Sequence, residues 1–303
     1  MKQIENIVQV ENLVKKFGSF TALDGLNLEV VKGEVHGFLG PNGSGKSTTI
    51  RVLLGLLKKT SGSVNLLGSE PWGNSVELHS RLAYVPGDVN LWPNLSGGEC
   101  IDLLGDLRGG LDEAKRQDLL EKFNLDPTKK FRTYSKGNKQ KVALVAAFAS
   151  DVELFILDEP TSGLDPLMEA VFQQYVSNIK AEGKTLLLSS HILAEVEALC
   201  DRVTIIRDGK TVETGRLSDL QKLQRTNFEI ETTKSADVLA KTKGVYEFKK
   251  DNNKVTFEVE PEHLSDVAKK VASLELTHIT SHPPKLEEVF LRHYDHKPAL
   301  KEQ

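Results

Sequence analysis

The segment GPNGSGKST, Gly40 to Thr48, sets glycines, a lysine and two hydroxyls in the pattern G-x-x-x-x-G-K-[ST]. Gly40, Gly43 and Gly45 let backbone N–H groups turn inward around phosphate oxygens, with Pro41, Asn42 and Ser44 between them. A helix opening directly behind the loop adds the positive end of its dipole. In such a loop Lys46 reaches the β- and γ-phosphates of a nucleotide, and the Ser47 hydroxyl is a ligand for Mg²⁺. A second segment, LFILDEP, brings Asp158 to the end of a buried apolar run and sets Glu159 beside it. An acid there can hold Mg²⁺ through water, and its neighbour can polarise an attacking water as a general base. A third, TLLLSSH, ends on His191. Carboxyl ends of strands are where open α/β sheets bind ligands, so Asp158, Glu159 and His191 are expected on one edge. A γ-phosphate contact for His191 is geometrically reasonable.

These residues need particular elements beneath them. EVHGFLG reads as a short apolar strand before the glycine loop. Ile50, Leu53, Leu54 and Leu57 give Ser47 to Leu57 a helical period. LFILD and TLLLSS are continuous apolar runs, the mark of fully buried parallel strands, with a helix expected over 167–181 between them. Residues 5–11 and 26–30 alternate as half-buried strands, and 98–148 are mostly helical, broken at Gly109-Gly110. VTIIRDGKTVETG reads as a strand, an Asp-Gly turn and a strand. The whole predicts an α/β sheet with a helical insertion. After about Gly215 the composition shifts. From Asn227 the order is strand, helix, strand, turn, strand, helix, strand, a small α+β unit of ferredoxin-like type. A last helix is expected at KLEEVFLRHY, where Glu287 and Glu288 read as a solvated helix face, and the polar 298–303 tail is expected to fray.

Composition narrows the field. The 303 residues are 39% hydrophobic and 27% charged, with net charge −4, ordinary for a soluble globular chain and unlike a strongly basic nucleic-acid binder. Cys100 and Cys200 lack metal-type spacing and read as buried thiols of a reducing interior. The amino-terminal MKQIENIVQVENL lacks a signal-peptide pattern. The longest apolar runs are near eight residues, against about twenty for a bilayer span.

Taken in order, the motifs resemble the ATP-binding subunit of an ABC transporter. GPNGSGKST is similar to that family's Walker A motif, LFILDEP to its Walker B, and SGLD, with Asp165, to its D-loop. His191 is similar to its switch histidine, and Phe17 in KKFGSF to the aromatic that stacks on adenine. The resemblance covers about residues 5–217. It implies a P-loop NTPase fold, an ABC ATPase core with an antiparallel β-subdomain and a helical subdomain at about 94–150. Residues 1–217 would form this nucleotide-binding domain and 218–303 a regulatory or interfacial domain.

The segment LSGGE, Leu95 to Glu99, looks like the family's LSGGQ signature, but Leu95 stands 63 residues before Asp158. The family sets its signature about two dozen residues before that aspartate. YSKGN is found there: Tyr134, Ser135, Lys136, Gly137 and Asn138, with Ser135 23 residues ahead of Asp158. This variant resembles signatures of export-type ABC ATPases. Ser135 and the N–H groups that open a helix would bind the γ-phosphate of an ATP held by the opposing subunit. Lys136, where the family has a small glycine, adds charge near phosphate or points into solvent; solvent is favoured. Ser96 and Glu99 have instead the S-x-x-E spacing of a capping box.

One position departs from the family. After the strand RLAYVP the family carries Gln or Glu, which contacts Mg²⁺ or the attacking water, in a loop that couples ATP to the membrane partner. Here the aligned residue is Gly87, followed by Asp88. Either Asp88 substitutes or the loop needs no ligand.

The resemblance implies ATP and Mg²⁺ as cofactors, a separate transmembrane permease subunit, and a second ATPase subunit, expected as a homodimer. It implies a cytoplasmic place on the inner face of the membrane, and no nucleic acid. A second reading is a soluble ATP-gated clamp acting on nucleic acid or ribosomes. Such relatives carry two cassettes, a long coiled coil or zinc modules, and this sequence has one cassette and none of those. A third, a P-loop kinase, conflicts with the order of signature, D-loop and His191.

Overall fold

The computed structural model describes residues 5–222 and 225–282. Two long strands come first, β1 (Asn6–Phe17) and β2 (Phe20–Val31). They pair antiparallel, Val10 opposite Leu28 and Phe17 opposite Phe20. Gly18, with φ of 59°, supplies the left-handed residue of their turn. Val8, Val10, Leu26, Leu28 and Val30 point inward and are buried, as the alternation predicts. β3 (Val35–Leu39) follows, and all of its residues are buried. Next is α1 (Lys46–Leu53). This helix stops short of the Leu57 expected from its period, because Gly55 takes φ of 68° and ends it. β4 (Ser61–Leu66) pairs with β1 and completes a three-stranded antiparallel sheet. It has no signal in the sequence, since only Val64 and Leu66 of its residues are buried.

The chain continues through α2 (Ser75–Ser80) and β5 (Leu82–Val85). Then come α3 (Gly97–Asp106), α4 (Glu113–Lys122) and α5 (Lys136–Phe148). β6 (Leu154–Asp158), α6 (Pro166–Ala181), β7 (Thr185–Ser190), α7 (Leu193–Leu199), β8 (Arg202–Arg207) and β9 (Lys210–Arg216) follow. The second sheet runs β5-β6-β7-β3-β8-β9, and its pairs from β5 to β8 are parallel. β3, β6 and β7 are buried along their whole length, as strands covered on both faces must be. Leu39 lies opposite Ser190, and Asp158 opposite Ser189. Gly40, Glu159 and His191 therefore leave the sheet side by side. The two sheets share one core, in which Val10, Leu28, Phe38, Ile50, Ile156 and Leu187 are buried. The helices bury Cys100 and Ile101 on α3, Leu119 and Leu120 on α4, and Val142, Leu144 and Phe148 on α5, with Phe123 and Phe131 buried between α4 and α5.

The chain divides into two compact units after Thr214. The second unit holds α8 (Leu217–Lys222), β10 (Thr226–Thr232), α9 (Asp237–Ala240), β11 (Val245–Asp251), β12 (Lys254–Val259), α10 (Leu264–Ala272) and β13 (Leu276–His282). Its sheet order is β11-β12-β10-β13, with antiparallel pairs throughout. The β-α-β-β-α-β order with this strand arrangement is the ferredoxin-like topology. Ile230, Leu239, Phe257, Val267 and Val271 form its core. The expected helix with Glu287 and Glu288 lies outside the described residues.

Both cysteines are buried and unpaired. Among the described residues no helix is long and apolar enough to cross a membrane.

Candidate functional site

Residues 40–45 connect the buried strand β3 to the first turn of α1. Gly43 and Gly45 have φ of 81° and 111°, conformations open to glycine. Gly40 is constrained differently, because a Cβ on it would stand 2.4 Å from the carbonyl oxygen of Ile206 on β8. Lys46 is buried, and its Nζ donates to the carbonyls of Gly40 at 2.6 Å and Pro41 at 3.1 Å. The lysine thus spans its own loop with its charge at the loop's centre. Burial lowers its pKa, while Glu159 and then Asp158 oppose that shift. A cavity of about 340 Å³ opens in front of the loop, walled by Asn42, Gly43, Gly45, Lys46, Ser47 and Thr48, and by Glu159 from across the sheet edge. Ser44 is buried, and its Oγ has no partner among the described residues.

Phe20 and Ala22 on β2 complete the cavity wall. Phe17 is half-exposed and sits directly across the strand pair from Phe20, with Lys15 Nζ 4.8 Å above its ring. Sequence reasoning singled out Phe17 and passed over Phe20. The KKFGSF hairpin offers two aromatics, and only the register of the turn tells which one meets the cavity.

Asp158 ends β6 and is 5% exposed, with Ser189 Oγ donating to its Oδ1 at 2.8 Å. Glu159 then turns sharply, at φ of 48°. For a residue with a side chain this left-handed conformation costs about 1–2 kcal/mol, and such strain gathers at functional sites. The turn is held by the Glu159 N–H, which donates to the Ser189 carbonyl at 2.9 Å. It aims the Glu159 carboxylate into the cavity, where Oε1 lies 3.9 Å from Lys46 Nζ and 3.1 Å from His191 Nδ1. A carboxylate accepts, so Nδ1 carries the hydrogen in that contact. Sequence reasoning missed the support behind His191. Ser190 Oγ donates to the buried Glu195 at 2.5 Å and accepts from the Ile192 N–H at 3.0 Å. Burial pushes the Glu195 carboxyl up. The only signal for Glu195 was its place on the inward face of a short helix.

The donor set suits Mg²⁺. That ion is held by one or two carboxylates, a hydroxyl, water and substrate phosphates, not by a cage of protein ligands. Asp158 and Ser47 supply the first two kinds, and no cluster of three or more metal-binding side chains exists among the described residues.

Gly87 lies against this machinery. A Cβ there would stand 3.1 Å from the Asp158 carbonyl oxygen and 3.6 Å from Glu159 Cβ. Asp88 is exposed, and its Oδ2 accepts from Asn90 at 2.9 Å. Neither lines the phosphate cavity. On the other side the same loop borders an apolar groove of about 280 Å³, to which it contributes Pro86 and Val89, with Leu54, Leu82, Leu104 and Arg108 among the other walls.

The two serine segments take different places. Ser96 caps α3. Its Oγ accepts from the Glu99 N–H at 3.1 Å, and the Glu99 carboxylate accepts from the Ser96 N–H at 2.5 Å. The capping box read from the sequence is present. Gly97 is small because Tyr134 lies over it, with Oη 2.3 Å from where a Cβ would be. Ser135 caps α5, its Oγ accepting from the Asn138 N–H at 3.3 Å, and no acid stands in the first turn of that helix. Tyr134 is buried and donates to the Asp126 carbonyl at 2.5 Å, which makes it part of the helical packing. A Cβ on Gly137 would stand 2.3 Å from the Gly163 carbonyl oxygen. Lys136 is exposed, but its Nζ is not left to water alone: it donates to Ser162 Oγ at 2.8 Å. Asp165 caps α6, accepting from the Met168 N–H at 3.0 Å. Within one chain, then, 134–138 meets the SGLD turn, and it contributes nothing to the walls of the phosphate cavity.

Residues 23–162 match the family described as ABC transporter, and residues 215–294 match the C-terminal domain of DrrA1-3-like ATP-binding proteins. The bacitracin transport ATP-binding protein BcrA of Enterococcus faecalis is 35% identical over 241 residues, 78% of each chain. A solved ATP-binding subunit of an ABC transporter superposes with a TM-score of 0.66 at 32% identity, over 71% of this chain and 92% of the other. The ATP-binding cassette MJ0796, solved as a dimer in a post-hydrolysis state with ADP and Pi, gives 0.61 at 26% identity, over 69% and 98%.

Proposed function

The chain belongs to the family of ABC transporter ATP-binding proteins, and on that premise we propose that two copies close head to tail on two ATP molecules to drive a membrane-embedded partner. The observation that carries this reading is the position of Glu159 Oε1, which faces the phosphate cavity between Lys46 Nζ and His191 Nδ1. ATP phosphates fill the cavity against the inward N–H groups and Lys46, and Phe17 or Phe20 meets the adenine. Ser47 and Asp158 hold Mg²⁺, which offsets phosphate charge when bound. Glu159 takes a proton from the attacking water, and His191 fixes its orientation. Ser135 and the open first turn of α5 supply the γ-phosphate contact to the ATP of the opposite chain. Support comes from the absence of a carboxylate at that helix start and from the dimeric MJ0796 cassette.

Closure by ATP and reopening after hydrolysis form a two-state cycle whose direction is set by the difference between ATP and ADP affinity. The loop at Gly87 touches Asp158 on one side and borders the apolar groove on the other. We assign the groove to the transmembrane partner, with this loop as the mechanical link. That docking places the chain on the cytoplasmic face of the membrane. The YSKGN variant and the DrrA-like C-terminal unit support export.

Glu159→Gln tests the assembly. It keeps the shape of the side chain and removes the base, so ATP with Mg²⁺ is expected to trap a stable dimer in light scattering. A variant that stays monomeric at saturating ATP contradicts the head-to-tail reading.

A further inference from the structure

Glu195 is only 6% exposed, and its Oε1 has no hydrogen-bond partner among the described residues. Burial raises its pKa most strongly; the hydroxyls of Ser190 and then Thr161 draw it back, and Glu169 adds to the rise. A buried carboxyl in that state lowers stability, whereas an apolar side chain of like volume would not. The fold therefore keeps an acid where packing alone favours a hydrophobe.

Its place is beneath two turns that leave neighbouring strands, β6 and β7. On one side Ser190 Oγ accepts from the Ile192 N–H at 3.0 Å and gives its one hydrogen to Glu195 Oε2 at 2.5 Å. His191 is the residue between the two so joined. Ile192 itself offers no side-chain cap to α7. The third residue of that helix, Glu195, reaches its start through the Ser190 hydroxyl, as a capping box with a relay. On the other side stands Thr161, 8% exposed, in the turn behind Glu159. That turn is closed by the Ser162 N–H on the Glu159 carbonyl at 3.1 Å and the Leu164 N–H on the Thr161 carbonyl at 3.0 Å. The His191 side chain is nearly half exposed and meets Glu159 at 3.1 Å, so its backbone and not its packing must hold it there.

We propose that Glu195 is a positioning residue for ATP hydrolysis: through the Ser190 hydroxyl it fixes the backbone on either side of His191, and with it the contact between the imidazole and Glu159. This rests on the roles proposed above for Glu159 and His191, and adds the buried group that sets their geometry. A misplacement of about 1 Å caused far from the reacting atoms can cost about 100-fold in rate.

The test measures steady-state ATP hydrolysis by the full chain, with melting curves for each variant. Glu195→Met keeps the volume and removes the acceptor; it should lower kcat about tenfold and leave KM for ATP within about twofold. Glu195→Gln keeps an oxygen for the Ser190 hydroxyl and should recover most of the loss. Ser190→Ala cuts the link from its other end, and should match Glu195→Met alone and add nothing to it. The deciding background is His191→Ala, in which Glu195→Met should have no further effect, because the ring it positions is gone. A residue that only stabilises the fold would lower the melting temperature and act equally in both backgrounds. Equal losses with and without His191, a rise in KM at unchanged kcat, or full turnover in a folded Glu195→Met chain each overturn the proposal and leave the assignment of His191 standing. If His191→Ala itself turns over normally, both fall. If neither Glu195→Met nor Ser190→Ala folds, Glu195 serves the fold alone and the positioning role is overturned.

Discussion

Ser96 and Ser135 do the same local work in different electrostatic surroundings. Each stands at the start of a helix and accepts a hydrogen bond from the third residue on. At α3 that residue is Glu99, whose carboxylate folds back on the Ser96 N–H and closes the helix start. At α5 it is Asn138, so the first turn has no acid and gains a lysine. The positive end of α3 is neutralised from within, and that of α5 has no acid against it, which is what the proposed contact with an anion requires. Similarity of letters points to LSGGE as the phosphate-binding signature, whereas charge at the helix start points to YSKGN. On the proposed reading, what would distinguish a structural cap from an anion site is the third residue after the serine, not the serine.

The comparison can be broken at several points. Ser135→Arg fills the open helix start with bulk and charge, and steady-state ATPase activity should fall at least about 100-fold, the scale of losing a preorganised donor. Asn138→Glu converts α5 into the likeness of α3. It should raise stability by a few tenths to about 1 kcal/mol through the new cap while lowering turnover about tenfold, since a carboxylate then competes for the place of phosphate; each tenfold is about 1.4 kcal/mol. A gain in stability with unchanged turnover would show that the start of α5 is not an anion site. Ser96→Ala should cost about 1 kcal/mol in thermal or denaturant unfolding, with turnover unchanged below the melting transition.

The smallest effect is in pH. The Ser96 backbone N–H, then the Ser96 side chain and Lys130, hold the Glu99 carboxyl below its ordinary value of 4.5. A depressed native pKa gives a contribution that is full above that ordinary value. It fades as pH falls through the depressed one. Glu99→Gln should remove this part of the acid-side loss of stability, and unfolding curves between pH 5 and 3, about the range spanned, would report it.

The edge that bears Gly40, Asp158, Glu159 and His191 was legible because its elements are extreme. VHGFL, LFILD and TLLLSS are buried on both faces, so apolar residues dominate each run, and the polar His36, Thr185, Ser189 and Ser190 among them are buried with hydrogen-bond partners. The glycine loop is legible for a related reason, since its φ values restrict which residues can stand there. Other features depend on what comes near in space. β4 is polar along most of its length and is placed by pairing with β1. Gly137 is one letter of YSKGN in the sequence, and the atom nearest its missing Cβ is the carbonyl oxygen of Gly163. Lys136 was expected in solvent and bonds Ser162. The role of 87–88 stays tied to its geometry: Gly87 packs on the backbone of Asp158 and Asp88 turns to Asn90.

The central claim is that each ATP site is built from two chains, Lys46 of one and Ser135 of the other. Lys46→Ala and Ser135→Arg should each be silent alone. In a mixture the hybrid dimer has one site with both residues intact, contributed by the Lys46 of one variant and the Ser135 of the other. The account predicts that mixing the two silent proteins restores ATP hydrolysis, in proportion to the hybrid formed. A mixture that forms hybrids and stays silent would contradict it.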